Sequence, residues 1–317
     1  MSAAPVTLAG DVQASIADRP QSVWQLRWRR LRRNRVAMVG GAVLLLLLAF
    51  SASAPLVEWL LGINVNDTNL LHRFAAPSSQ HLLGTDEAGR DVLVRLMYGG
   101  RVSLLVGLVG AISAALLGTL VGLLAGYYRG RVESVLMRMT DGVISLPLLP
   151  LLIVFAAIDL QKLGFSQEFV RSGVANFYRI VFIIALVEWT TVARLVRAST
   201  LGLMTREFVL AARTQGASAR HILGVHVLPN AASPIIVALS LAVGQIILLE
   251  STLSFLGLGI QPPTPSWGNM LNNAQELISR APLLAFYPGL LIFVTVIAVN
   301  FFGDGLQDAF DPRAESH

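Results

Sequence analysis

Six apolar stretches, each about 19 to 27 residues long, recur between positions 36 and 302 and limit this chain to one kind of fold. About 20 predominantly apolar residues in a helix cross the roughly 30 Å hydrocarbon layer of a bilayer. Backbone N–H and C=O groups in lipid have no water to bond, so each stretch satisfies them within itself as an α-helix. The stretches fall at 36–61, 102–128, 134–158, 179–201, 231–255 and 284–302. Composition agrees, since 54% of the residues are hydrophobic and 14% are charged, against roughly a quarter charged in a soluble domain. The expectation is an all-α integral membrane protein with six transmembrane helices.

The charged residues orient these spans. Of 24 basic side chains only Lys162 is a lysine, and the arginines collect beside the apolar runs. Residues 24–35 hold six arginines and two tryptophans. A span follows at once, so a basic flank with an interfacial aromatic belt explains this cluster better than a nucleic-acid-binding or lipid-binding arm. The same cluster, the apolar run and Ser51-Ala52-Ser53-Ala54 also resemble a secretory signal. Its basic region would run to about 35 residues, far beyond the usual length, so the segment reads as an uncleaved first helix. Arg129-Gly130-Arg131 and the arginines of 206–220 form further basic clusters. With six spans, all of these clusters and both termini share the cytoplasmic side. The resulting map is a cytoplasmic tail with its basic flank (1–35), a first helix (36–61), an extracytoplasmic connector (62–100), a five-helix core (101–303) with a cytoplasmic loop at about 203–228, and a cytoplasmic tail (304–317).

Several spans carry readable detail. In the second, Gly110, Ala114, Gly118, Gly122 and Gly126 recur every four residues, a small-residue ridge that lets a neighbouring backbone approach closely. In the third, Pro147 and Pro150 predict a kink, and Asp141 is placed to pair with Arg138 one helical turn earlier. Glu188 lies mid-span in the fourth and Glu250, followed by Ser251, near the outer end of the fifth. An ionisable residue within a span is by default a functional candidate. The connector contains Asp86, Glu87 and Asp91, but the D-x-[DN]-x-[DN]-G spacing of a calcium loop is absent, so it reads as a structured connector.

Most catalytic chemistry is excluded. There is no cysteine, hence no disulfide, thiolate nucleophile or Cys-ligated metal. Neither H-E-x-x-H nor G-x-S-x-G occurs. His221 and His226 stand five apart, off one α-helical face and poorly placed to share a metal. No catalytic or metal site is expected. A phosphate-cradling loop needs G-x-x-x-x-G-K-[ST], and the single lysine sits in Leu160-Gln161-Lys162-Leu163 with no glycine before it. If ATP drives this chain, another subunit binds it.

The stretch 206–230, REFVLAARTQGASARHILGVHVLPN, is the longest polar-rich interval between apolar runs in the second half. It predicts a short helix with an apolar, small-residue face of Phe208, Val209, Ala211 and Ala212, interrupted at Gly216. Ser218 then caps a second helical run through Val225, and Pro229 ends or bends that run before the next span. Basic, but with an alanine face, the loop is shaped to be gripped by another protein.

Three blocks of sequence carry a resemblance. Ala211-Ala212, Gly216 and Leu228-Pro229 fit the cytoplasmic pattern E-A-A-x3-G-x9-I-x-L-P. Residues 81–104, HLLGTDEAGRDVLVRLMYGGRVSL, form the second block. Residues 250–268, together with Gly303-Asp304-Gly305-Leu306 and Asp311-Pro312-Arg313, form the third. On these blocks, across nearly its whole length, the chain resembles the permease subunit of an ATP-binding cassette importer of the dipeptide, oligopeptide and nickel class, and within it the C-type partner of the permease heterodimer. The resemblance implies a type I importer permease fold in the inner membrane, with the first helix wrapped outside a five-helix core. It implies a second, homologous permease, two ATPase subunits that carry ATP and magnesium, and an extracytoplasmic solute-binding protein, with no cofactor and no nucleic acid on this chain. The loop becomes a coupling helix, with Glu207, Ala211, Ala212, Gly216, Ser218, Arg220 and Pro229 as its docking residues. Glu250, Ser251 and Glu188 become candidates for lining the path. The implied cargo is a di- or oligopeptide, with a nickel chelate or glutathione as alternatives. An ion-coupled transporter relaying charge through Glu188 and Glu250 is the reading from another class. The chain departs from the pattern at Leu210, where the family has glutamate, and at His226, where it has isoleucine. Glu207 offers a carboxylate one turn from Leu210.

Overall fold

The computed structural model describes residues 23–310 apart from 163 and 273. The expected tail over 1–22 and the Asp311-Pro312-Arg313 end lie outside them. An arginine-rich helix α1 (Val23–Arg33) leads through Asn34 into α2 (Arg35–Ala52) and α3 (Ala54–Leu61). After an irregular connector come α4 (Val92–Tyr128), α5 (Gly130–Ser145), α6 (Leu148–Ala156), α7 (Gln167–Arg171) and α8 (Gly173–Leu203). The loop contributes α9 (Glu207–Thr214) and the short α10 (Ala219–His221), which runs through a π-helical turn (Ile222–Val227) into α11 (Leu228–Phe255). Helices α12 (Ala274–Arg280) and α13 (Pro282–Phe310) are the last elements among the described residues.

Among the described residues, four continuous helices are long and apolar enough to cross a membrane: Arg35–Ala52, Val92–Tyr128, Ala219–Phe255 and Pro282–Phe310. Helices α5 and α6 together make a fifth candidate, bent by 89° at their break. Helix α8 has 31 residues but carries Arg179, Glu188, Arg194 and Arg197 along its length.

Local sequence explains where these helices differ from expectation. Helix α4 starts at Val92, well before 102, because Asp91 caps it by accepting the Val94 N–H at 2.9 Å. The expected kink near Pro147 is a full break. Leu146 is extended, as a residue preceding proline prefers, and Pro150 falls in the first turn of α6, where its missing N–H costs nothing. Asp141 pairs with Arg194 of α8 at 2.5 Å rather than with Arg138. The packing of α5 along α8 brings the more distant arginine closer, and Glu133 pairs with Arg197 beside it.

The α4 ridge forms the centre of the packing, with α8 as its most extensive partner. A Cβ on Gly118 would stand 2.6 Å from the Trp189 carbonyl oxygen, one on Gly122 2.7 Å from that of Ala193, and one on Gly126 2.6 Å from Thr200 Cβ. Ala114 is fully buried. Gly110 lies one step up the same ridge and faces Ile246 of α11 instead, at 3.0 Å. The ridge therefore seats α8 along its lower half and α11 along its upper half. Around it, Val106, Ala111, Leu152, Ile184, Ile246 and Leu253 fill the core.

At the connector end, carboxylates are consumed by the fold. Asp86 accepts the backbone N–H groups of Ala88 (2.8 Å) and Arg90 (3.0 Å) and pairs with the Arg90 and Arg95 side chains, while Asp91 also meets His81 at 3.0 Å. The outer segment after α11 is pinned by fully buried Trp267. Its indole N–H donates to the Leu96 carbonyl at 2.9 Å and its backbone N–H to Ser103 Oγ at 3.2 Å.

The ridge predicts a specific cost. Gly122→Leu should lower the thermal unfolding midpoint of the detergent-solubilised chain, by overpacking worth about 1–3 kcal/mol. Gly142→Ala, whose added carbon meets nothing within 4 Å, should leave the midpoint unchanged or slightly raised.

Candidate functional site

The loop hangs from the end of α8 and is anchored by few side chains. In α9, Val209 is fully buried among Leu123, Val192, Val196, Met204, Ile222 and Val227. Ala212, one turn on, is half-buried, whereas Glu207, Leu210 and Ala211 are exposed. The small-residue face foreseen from the sequence therefore divides. Val209 and Ala212 turn toward the membrane helices, while Ala211 and Leu210 turn out, with Phe208 43% exposed beside them. Glu207 and Leu210 stand three residues apart on this outer face, so the carboxylate sits one turn from the leucine. Glu207 is in the first turn of α9, where a negative charge complements the helix dipole.

Gly216 closes α9 in the left-handed region at φ 79°. Its N–H donates to the Arg213 carbonyl (3.1 Å) and the Ala217 N–H to that of Ala212 (3.0 Å), the paired bonds of a Schellman cap. Only glycine holds that angle without strain. Ser218 then accepts the His221 N–H at 3.3 Å and starts the second run. Arg220 is exposed on it.

Pro229 does not end this run. The chain stays helical from Ala219 to Phe255. A π-helical turn precedes the proline, and its wider spacing accommodates a residue that lacks an N–H and crowds the previous turn. Asn230 Nδ2 donates to the His226 carbonyl at 2.7 Å, satisfying a backbone group within that turn. The same turn places residues five apart on one face. Ile222 and Val227 are both fully buried, and the rings of His221 and His226 meet with centroids 5.4 Å apart. With α-helical spacing throughout, as the sequence predicts, these histidines would lie off one face; the π-helical turn brings them together. His226 also lies 6.2 Å from the Phe208 ring, so it fills the isoleucine position with a contact to α9. Among the described residues no cluster of three or more potential metal ligands occurs.

A groove of about 1120 Å³ runs above the loop between α8, α11 and α13. Glu188, Thr191, Asn230, Ser233, Gln245 and Asn300 contribute its polar lining. Glu188 is half-buried there, with no hydrogen-bond or ion-pair partner among the described residues. Glu250 and Ser251, foreseen beside it, are placed in the interior away from the groove. Glu250 has no exposed surface and accepts hydroxyl bonds from Ser103 (3.0 Å) and Ser254 (2.7 Å), while Ser251 is 6% exposed against Gly268. Because Ser103 also accepts the Trp267 N–H, the carboxylate joins α4, α11 and the outer segment. Sequence alone marked Glu250 as an ionisable residue in a span. The serines that satisfy it come from α4, 147 residues earlier in the chain, and from one turn further along its own helix, and only the latter is visible as spacing.

Residues 118–316 match the model of the binding-protein-dependent transport system inner membrane component, and residues 22–77 that of the N-terminal transmembrane domain of oligopeptide transport permease C. The chain is 40% identical over 293 residues to the glutathione transport system permease protein GsiD of Pectobacterium atrosepticum, covering 92% of each. It is 36% identical over 295 residues to the dipeptide transport system permease protein DppC of Alkalihalophilus pseudofirmus, covering 93% of this chain and 91% of the relative. It is 37% identical over 295 residues to the oligopeptide transport system permease protein OppC of Haemophilus influenzae, covering 92% and 89%.

The cap geometry gives a local test. Gly216→Ala adds a carbon that meets nothing within 4 Å, so its cost is conformational, about 1 kcal/mol. Amide exchange across 207–227 should quicken about fivefold, with global unfolding unchanged.

Proposed function

This chain belongs to the family of binding-protein-dependent transport system inner membrane components, and from that premise we propose that it forms one half of the membrane pore of an ATP-driven importer of short peptides. Peptide cargo is supported by relatives named for dipeptide and oligopeptide transport. A relative named for glutathione, itself a tripeptide, fits the same cargo class. The other half is a homologous permease, a solute-binding protein delivers the cargo from outside, and two ATPase subunits hold ATP and magnesium.

The observation that carries this reading is the outward face of α9. Glu207, Leu210 and Ala211 stay exposed on a helix held from behind by Val209. A helix so mounted presents a compact surface to a groove on an ATPase and passes its displacement to α8, which it follows directly, and through α10 and the π-helical turn to α11. In this arrangement α8 and the bent α5–α6 pair complete six spans, and both termini lie with the loop on the cytoplasmic side, where its arginines favour it. The polar groove is the cargo path, with unpaired Glu188 facing it. Glu207 takes the place of the motif carboxylate missing at Leu210. Ser218, Arg220 and Pro229 set the second half of the docking surface.

Gly216→Glu at the cap and Ala211→Arg on the exposed face of α9 should each abolish ATP-dependent peptide uptake by the reconstituted complex while membrane abundance stays normal. Normal uptake at normal abundance contradicts the docking role, and uptake driven by an ion gradient without ATP contradicts the importer itself.

A further inference from the structure

The basic flank at the junction of α1 and α2, which the sequence alone assigns to topology rather than to a lipid-binding arm, is organised by the fold into two distinct sides. One side of α1 is seated on the end of α13. Leu31, 5% exposed, packs with Ala37 and Ala309 against Phe302 and Leu306, the Arg27 guanidinium lies 4.5 Å above the Phe310 ring, and Asn34 Nδ2 donates to Asp308 at 3.2 Å. The other side holds Arg29, Arg32 and Arg33, all exposed, at the i, i+3, i+4 spacing of one helix face. Exposed Arg35 follows as the first residue of α2. Arg32 lies over the Trp28 ring at 5.0 Å. Among the described residues no carboxylate pairs with Arg29, Arg33 or Arg35.

This arrangement is electrostatically incomplete. The first turn of α2 contains no acidic residue, so Arg35 adds a full positive charge to the positive end of a helix dipole. The like charges of Arg29, Arg32 and Arg33 repel along their shared face. An anion held here would offset both. Its surroundings identify it. Helix α2 leaves Val36, Val39, Leu45 and Leu46 each more than half exposed, the outer surface of a lipid-facing helix, which sets the arginines at headgroup level. Trp28, 53% exposed, and Leu26, 38% exposed, rim the face with apolar surface suited to the interface.

We propose that this face binds the phosphodiester headgroup of an anionic phospholipid, with Arg29, Arg33 and Arg35 on the phosphate and Trp28 at the glycerol level. The inference rests on α2 spanning a bilayer, not on the identity of the cargo. Arg27 and Phe310, which join α1 to α13, also line the groove. Lipid bound at α1 therefore braces one wall of the path.

The test is native mass spectrometry of the purified full-length chain, titrated with phosphatidylglycerol, with phosphatidylcholine of the same acyl chains, and with inorganic phosphate. Phosphatidylglycerol should bind about tenfold tighter than phosphatidylcholine, and the triple variant Arg29→Gln, Arg33→Gln, Arg35→Gln should lose that preference. The comparator Arg129→Gln, Arg131→Gln, which removes exposed charge from another basic turn, should keep it. If the triple variant fails to insert, Arg29→Gln and Arg33→Gln singly should each weaken binding about threefold. Equal binding by wild type and the Arg29/Arg33 variants, an equal loss in the comparator, or displacement by equimolar phosphate overturns the proposal. Failure of the chain to float with liposomes would instead remove the membrane-spanning premise, and is read separately.

Discussion

The backbone of α8 lies against the backbone of α4, and the positions of the loop and the groove follow from that contact. Lipid tails are as apolar as leucine, so two membrane helices gain nothing from hiding apolar surface from water; they associate by fitting closely. Gly118, Gly122 and Gly126 provide that fit, since each would place a Cβ inside the contact distance of α8 atoms. Gly110, further along, admits Ile246 of α11 in the same way. One helix thus fixes the relative position of the two others that frame the groove and carry the loop between them.

The two ends of this assembly are fastened differently. At the connector end, Glu250, Ser103, Ser254 and Trp267 form a buried network. Removing one partner would leave another unsatisfied in a medium without water, which makes such a network stiff. At the loop end the fastening is lighter: an apolar plug at Val209, a glycine cap, a serine cap, and ion pairs from α5 to Arg194 and Arg197. The Arg194–Asp141 pair is about half exposed and contributes at most about 1 kcal/mol. A segment held this way can be displaced without unpacking the core, as a coupling element requires.

Much of this was legible in the sequence because its causes are local. Apolar runs gave the helical membrane class, the four-residue recurrence of small residues gave the ridge, and Gly216 with Ser218 gave the break and restart of the loop. Other features depend on a bond pattern or a distant partner. The facing of His221 and His226 follows from a π-helical turn that no periodicity announces. Pro229 reads as the end or a bend of the run, whereas the π-helical turn lets the helix continue through it. Asp141 has a good partner one turn away, yet takes Arg194 from another helix. Glu250 stands out as an ionisable residue in a span, but only packing brings Ser103 to it. Leu210 was visible as a departure; that Glu207 shares its exposed side needed the structure.

The absence of native cysteine allows the proposed docking face to be addressed directly. Ala211→Cys, introduced alone and co-assembled with the ATPase subunits of its own system, should cross-link through a short bifunctional reagent to an ATPase subunit, with a yield that changes on adding ATP. Ser53→Cys, at the bend between α2 and α3, should give no such product. Absence of any ATPase adduct at position 211 in an assembled, ATP-hydrolysing complex would contradict the assignment of this loop as the point where the chain is driven.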